Sequence, residues 1–387
     1  MTHPTDSRRS SKPEKPSPDF PLTPRADGRW MKRIYGKLYY FTGTADEARA
    51  KYEAKLLEIA APEPAGETQI RHLLEAFAVA KEADVEIGQL SRNTFNGYRR
   101  MCDIVYTHFG RLRPVASLTR QDADALRLRL CKGVGAKTQQ DHITRTRVVF
   151  KWAYDRELMT QPFHLWIKQV SMKTLKRYQA QRPSRLMTAD EIRQLIDAAT
   201  VRMRAMILLG INCGFGGTDC SDLTTEWLDL DNGWHTFARP KTGEPRRAKL
   251  WPETVAALQV AISQRPRPRN TAHADRVFIT RKGTLYVSED RTRDSLGREF
   301  TTLARRVGVA RPGVSFYSLR HCFETVSGDA CDQVATNLVM GHADGTMAAN
   351  YRHGIKDDRL AAVADHVHRW LFGAPMGRGG RTFKVVG

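Results

Sequence analysis

Long apolar runs are missing from this chain. None approaches the roughly 20 residues that a bilayer-spanning helix needs. The N-terminus also lacks the apolar core of a signal peptide. A membrane protein is excluded on this reading, and a cytoplasmic, nucleoid-associated location is expected. Cysteine is scarce and scattered. Cys102, Cys131, Cys213, Cys220, Cys322 and Cys331 include no C-x-x-C pair. That argues against a zinc ribbon or a disulfide framework and fits reduced thiols. No metal and no cofactor are expected. Negative charge is short as well: 42 acidic residues face 62 Lys and Arg, a formal net charge of +20. Such an excess suits a polyanion, either nucleic acid or an anionic membrane surface. Without a membrane segment, nucleic acid is the better fit. What is present is enough apolar residue, 41%, for real cores, and a length of 387 residues that suits two or three domains.

The chain divides by composition. Residues 1–28 hold six of the eighteen prolines and little that is apolar. They are expected to form a disordered basic tail. Residues 29–62 turn aromatic and β-branched, with Trp30, Ile34, Tyr35, Leu38, Tyr39, Tyr40 and Phe41 around Gly36. That pattern predicts a short β-hairpin, followed by a helix over 45–60. Residues 68–165 read as helices: Ile70, Leu73, Leu74 and Phe77 share one face, Ser91 can cap a second helix, Leu118-Thr119 precede a third, and Thr138 opens the last. Residues 166–186 form a basic linker, and Thr188-Ala189-Asp190-Glu191 is a capping-box start. Residues 187–373 mix helices with strand-like pieces near His235–Arg239, Arg246–Leu250 and Val277–Thr280. The expected architecture is mainly α, with an α+β domain at 187–373 and a C-terminal tail at 374–387. Asp357 to Phe372 is an amphipathic stretch that packs either in cis or on a neighbouring protomer; both remain open. His366-Val367-His368 has no convincing further metal ligands.

Four stretches carry chemistry. Gly214-Phe215-Gly216-Gly217-Thr218-Asp219 is followed by Leu223. Then come Lys241-Thr242-Gly243 with Arg246 and Leu250, and Tyr317-Ser318-Leu319-Arg320-His321. Last is Met340-Gly341-His342, with Tyr351 nine residues beyond His342. Their order, and the interval of 22 residues from Arg320 to His342, resemble the catalytic domain of the tyrosine recombinase (phage integrase) family. The resemblance extends over residues 68–372, because the helical region looks like the family's core-binding domain. The 29–62 segment looks like a small arm-type DNA-binding unit.

The resemblance implies a site-specific recombinase or integrase of a mobile element. It would act on double-stranded DNA as a homo-oligomer, a tetramer, and cut through a 3′-phosphotyrosyl intermediate. Carried over position by position, Tyr351 is the nucleophile, Arg320 a phosphate clamp, His342 a donor to the phosphate and Lys241 the general acid. Tyr317, His321, Arg246 and Arg247 are supporting candidates. Arg92, Arg99, Arg100, Lys137, Arg145, Arg147, Lys151, Lys173, Lys176 and Arg177 are the expected DNA-binding set. The chemistry demands such groups. A tyrosine ester conserves the energy of the broken phosphodiester, and fixed cations must meet the charge that gathers on the non-bridging oxygens.

The chain departs from the family twice. The family's first arginine, two residues after the glycine matching Gly214, is Gly216 here. The family's histidine three residues before the second arginine is Tyr317. Losing one preorganised donor costs on the order of 10²–10³ in rate. Either another cation compensates, with Arg246 or Arg247 preferred over Arg202 and Arg204, or the chain is a catalytically impaired DNA-binding relative. A type IB topoisomerase-like enzyme shares the nucleophile logic and is the third reading.

Overall fold

The computed structural model describes residues 13–17, 20–34, 37–60, 68–240, 242–290, 292–342 and 354–373. They fall into two compact units that divide at Gln181 and Arg182.

The first unit opens with a three-stranded antiparallel sheet: β1 (Thr23–Pro24), β2 (Trp30–Ile34) and β3 (Lys37–Phe41), with Trp30 opposite Phe41 and Ile34 opposite Lys37. Helix α1 (Ala45–Ala60) starts on a reciprocal cap, Glu47 N–H donating to Thr44 and Thr44 N–H to the Glu47 carboxylate. Phe20, Leu22, Trp30, Ile34, Phe41, Ala48 and Tyr52 form the core beneath. This corrects the expected tail at 1–28. From Phe20 onward the chain is folded: Leu22 is fully buried and the Phe20 ring meets Trp30 edge-on at 5.0 Å. Averaged over 28 residues the segment is polar. Two apolar side chains placed against a tryptophan are enough to dock its last third. The expected hairpin also gains a third strand, and Pro24 sits on its edge, where a missing N–H is tolerated.

Helices α2 (Ile70–Glu86), α3 (Arg92–Phe109), α4 (Arg120–Cys131), α5 (Ala136–Asp155), the short α6 (Phe163–Trp166) and α7 (Met172–Ala180) complete this unit. Ile70, Leu73, Leu74 and Phe77 are buried together with Val105, Leu126, Ile143 and Phe150. Ser91 caps α3 by accepting from Thr94 N–H, and Thr119 with Asp122 closes a capping box on α4. Helix α5 begins at Ala136, two residues before the expected Thr138 start.

The second unit is built around α9 (Val201–Cys213), whose residues from Ala205 to Cys213 are all buried. Helices α8 (Ala189–Ala198), α10 (Gly217–Asp222), α11 (Pro252–Ser263), α12 (Ser295–Arg306), α13 (Ser318–Gly328), α14 (Gln333–Met340) and α15 (Asp357–Phe372) share its core. A small antiparallel sheet runs β4 (Leu228–Asp229), β5 (Trp234–His235), β6 (Ala248–Lys249). The strands are shorter than expected, and 277–280 is not a strand. There Val277 N–H bonds Leu223 O, and Thr280 N–H closes a turn onto Thr284 O. The terminal helix α15 packs within its own chain: Leu360, Val363, Ala364, Val367 and Leu371 are buried, and Trp251 Nε1 donates to Ala364 O at 2.9 Å.

Candidate active site

Two left-handed glycines frame the site. Gly214 ends α9 at φ 65° and Gly341 ends α14 at φ 61°. Such a φ is strained for any residue with a Cβ. At Gly341 a Cβ would also lie 2.6 Å from Arg246 Cγ. Arg320, in the first turns of α13, is buried between these two helix ends. Its Nη1 donates to Gly214 O at 2.6 Å and its Nη2 to Met340 O at 2.8 Å. Helix-end carbonyls have no intrahelical donor, so the guanidinium both satisfies them and is fixed by them.

His342 follows Gly341 directly, its backbone N–H bonded to Asn337 O. Its Nδ1 lies 3.6 Å from Glu324 Oε2. Burial first, then the charge on Arg320, pulls the imidazole below its usual pKa; Glu324 opposes this and Arg239 adds to it. Burial, and next the charge of Arg239, likewise holds the Arg320 guanidinium below the ordinary arginine range. Arg239 is within reach because its Nη1 approaches Gly341 O at 3.5 Å.

The segment at Gly216 is held by one carboxylate. Gly216 N–H donates to Asp219 Oδ2 at 2.6 Å, and Asp219 Oδ1 lies 3.4 Å from Arg246 Nη2. Arg246 is buried, with Nε on Phe237 O at 3.0 Å and its guanidinium 4.4 Å from the Phe215 ring centre. Burial lowers its pKa and Asp219 opposes that. Arg247 turns the other way. Its Nε and Nη2 clasp Asp357 at 2.8 and 2.7 Å, and it lies 4.3 Å over the Trp234 ring. Alternation along the extended residues that lead into β6 gives the two neighbours opposite faces. The inward one is Arg246, and its Nε and Nη2 are turned onto Phe237 O and Asp219.

Gly216 itself has φ −93°, which any residue can adopt. The missing arginine is therefore no backbone requirement. A Cβ there would meet the Tyr317 ring at 3.4 Å, so the chain's two departures from the family pattern are neighbours in space. Tyr317 is 44% exposed, and its ring stands edge-on to His321 at 5.2 Å. His321 Nε2 is 3.3 Å from Arg185 Nη1. Lys241 and Tyr351 lie outside the described residues.

The sequence reading assigned no role to Arg239, Asp219 or Glu324. The signal for Arg239 was period two: Gly233, His235 and Phe237 are buried while the residues between them are more exposed, so position 239 falls on the inward face. Asp219 was legible as the residue three after Gly216, the spacing at which a carboxylate caps a helix start. Glu324 had no signal beyond its place on α13.

In the first unit, most of the cations expected to meet DNA lie on the surface. Arg99, Arg100, Lys173, Lys176 and Arg177 are exposed. Lys137 pairs with Asp141 at 3.1 Å, Lys151 with Asp155 at 2.6 Å, and Arg92 with Glu82 at 3.3 Å. Arg147 donates to Ile167 O at 2.8 Å, and the Arg145 side chain covers Gly97. Among the described residues no three metal-ligating side chains gather, and no helix is long and apolar enough to cross a membrane.

Residues 185–357 match the model of the phage integrase family. Solved structures with the same fold include a lambda integrase dimer bound to a COC' core site, at TM-score 0.57 and 15% identity over 89% of this chain and 99% of that one. A lambda integrase tetramer bound to a Holliday junction is similar at TM-score 0.56 and 16% identity, covering 89% and 97%. The Tn1549 transposon integrase with circular intermediate DNA gives TM-score 0.54 and 19% identity, covering 76% and 97%. At such identities the likeness is one of fold. No curated protein matches the chain.

Proposed function

We propose that this protein is a site-specific recombinase or integrase that cuts and rejoins double-stranded DNA through a 3′-phosphotyrosyl intermediate. The observation that carries the reading is the buried Arg320, fixed between the ends of α9 and α14 beside His342, inside the span that matches the phage integrase family. In this reading Tyr351 Oη gives up its proton to solvent and attacks the scissile phosphorus, forming the 3′-phosphotyrosyl ester. The bond to the 5′ oxygen breaks, and that oxygen takes a proton from Lys241. Arg320 and His342 donate to the non-bridging oxygens. Rejoining is the same step reversed, with a 5′-hydroxyl from the partner strand as nucleophile.

The exposed cations of the helical region and of α7, among them Arg99, Arg100, Lys137, Lys151, Lys173, Lys176 and Arg177, would track the DNA backbone, with Arg92, Arg145 and Arg147 at its edge. The sheet and α1 would form an accessory DNA-binding unit. A homo-tetramer on DNA is the working assembly, by analogy with the lambda integrase tetramer on a Holliday junction. A cytoplasmic location goes with this reading. Gly216 favours one alternative, a relative that binds DNA and cuts it poorly.

A suicide substrate nicked beside the scissile phosphate tests the proposal, because the leaving fragment diffuses away and traps the adduct. The wild-type chain should form a covalent complex. Tyr351→Phe should form none while binding the same duplex with near-wild-type affinity. Equal adduct in the variant removes Tyr351 as nucleophile, and binding without adduct in the wild type leaves the impaired relative.

A further inference from the structure

We propose that Arg239 is a phosphate-binding catalytic residue, supplying beside Arg320 and His342 the second guanidinium that the chain lacks at Gly216. This rests on the strand-exchange reading.

A phosphoryl transition state presents two non-bridging oxygens, and one guanidinium cannot meet both from opposite sides. Arg320 comes from α13. Its Nη2 is tied to Met340 O, while Arg239 Nη1 reaches the next carbonyl, Gly341 O. The two arginines thus stand on consecutive carbonyls, immediately before His342. They arrive from different elements, Arg239 across the chain from α14. Its Cβ would be 3.0 Å from a Cβ on Gly341, so only a glycine there admits so close an approach.

Arg239 is held in place by its backbone. Its N–H donates to Glu244 O at 2.8 Å, and its carbonyl accepts from Gly243 N–H at 2.8 Å. It is the neck residue of a closed turn, partly exposed, on the inward face that His235 and Phe237 continue. The other inward arginine, Arg246, is buried, with its Nε and Nη2 turned onto Phe237 O and Asp219.

The charge around the site is unbalanced. Arg239, Arg246, Arg320 and His342 converge, and Arg320 and His342 each feel Arg239 as a like charge. The carboxylates facing them are Asp219, engaged with Gly216 N–H and Arg246, and Glu324, beside His342. Among the described residues no carboxylate forms an ion pair with Arg239 or Arg320. Two guanidinium groups held side by side without an anion are arranged for one that arrives with the substrate, and a scissile phosphate fits that need.

The test uses the full chain and a suicide duplex under single-turnover conditions. Arg239→Ala should slow adduct formation by about 10²–10³. Its affinity for the duplex should stay within about tenfold, since one phosphate contact among many is lost. Arg239→Lys should recover part of the rate, keeping charge without the planar fork. Adding Gly216→Arg to Arg239→Ala should recover at least about tenfold, because it returns a guanidinium from the other side. Cleavage by Arg239→Ala at the wild-type rate, or rate and affinity falling by the same factor, would overturn the proposal. If the wild-type chain makes no adduct, the strand-exchange reading fails, and a second measurement still decides for Arg239. Inorganic phosphate is titrated against the folded protein while the His342 ring resonances are followed. Weakening by about tenfold or more in Arg239→Ala supports the assignment, and an unchanged titration overturns it.

Discussion

Two populations of cation divide the molecule. In the helical region Lys137, Lys151 and Arg92 stand at the surface, each beside a carboxylate of its own helix or the preceding one. In the second unit Arg320, Arg239 and Arg246 turn inward and bond mainly to carbonyls: Gly214 O, Met340 O, Gly341 O and Phe237 O. An exposed ion pair is screened and contributes roughly 0–1 kcal/mol, so it can be exchanged for a DNA phosphate at little cost. Buried on carbonyls, the Arg320 guanidinium has given up its water and gains no countercharge, whereas Arg246 keeps Asp219 beside it. Burial lowers the pKa of both Arg320 and Arg246, as expected for a desolvated cation. The first arrangement suits reversible, salt-dependent tracking of a backbone. The second suits a fixed donor waiting for charge to develop.

The sharpest way to break this comparison is to remove the central member of the second population. Arg320→Ala should lower the single-turnover cleavage rate by about 10²–10³ or more. It should also destabilise the second unit by about 1–3 kcal/mol for each helix-end carbonyl that loses its donor inside the fold. Suicide-substrate kinetics and thermal unfolding read the two effects separately. Loss of stability alone would make Arg320 a structural strut.

Next comes Arg246. Removing it strands Asp219 without its buried partner and opens a cavity between Phe215, Phe237 and the Gly341 backbone. Breaking a buried pair from one side costs about 3–5 kcal/mol. Chemical denaturation of Arg246→Ala should fall in that range, and a change below about 1 kcal/mol would show that Asp219 is held well enough by Gly216 N–H alone. In the first population the effects are smaller and show in salt rather than in stability. Lys151→Ala should flatten the slope of log K for DNA against log salt by about 0.9 while leaving unfolding almost unchanged. An unaltered slope would place Lys151 off the DNA face.

Much of the site was legible because its parts sit at helix ends, where glycine, capping residues and motif spacing leave marks. Gly214, Arg320 and Gly341-His342 could be read from the chain, and so could the capping box at Thr188. Arg239 was hidden because it lies two residues before the marked lysine, in a segment that is extended but mostly unpaired. Expecting a full strand over 235–239 was reasonable from its pattern, yet beyond His235 its backbone bonds go to Trp227, Glu244 and the turn, so only Trp234–His235 is ladder. The N-terminal segment fails as a tail for a different reason. Phe20 and Leu22 matter through what they touch, Trp30 and the sheet, and composition carries no information about partners far along the chain.

The finest distinction is between Arg246 and its neighbour. Arg247 makes a bidentate pair with Asp357, donates to Thr236 Oγ1 at 3.0 Å and lies over Trp234. Its partner raises its pKa, and it in turn holds Asp357 below the usual carboxylate range. The geometry looks as strong as that around Arg246, but both side chains remain substantially in water, at 36% and 47% exposure. Solvent screens the attraction, and the freed Asp357 is rehydrated when the arginine is removed. Arg247→Ala should therefore cost about 0–1 kcal/mol. Asp357 opens α15, so a negative charge at that N-terminus keeps its favourable interaction with the helix dipole after Arg247 is gone. Thermal unfolding at low and high salt decides it: the small loss should shrink further at high salt. A loss of several kcal/mol, unaffected by salt, would mean that the clasp to α15 is desolvated after all and that the two neighbouring arginines belong to one population.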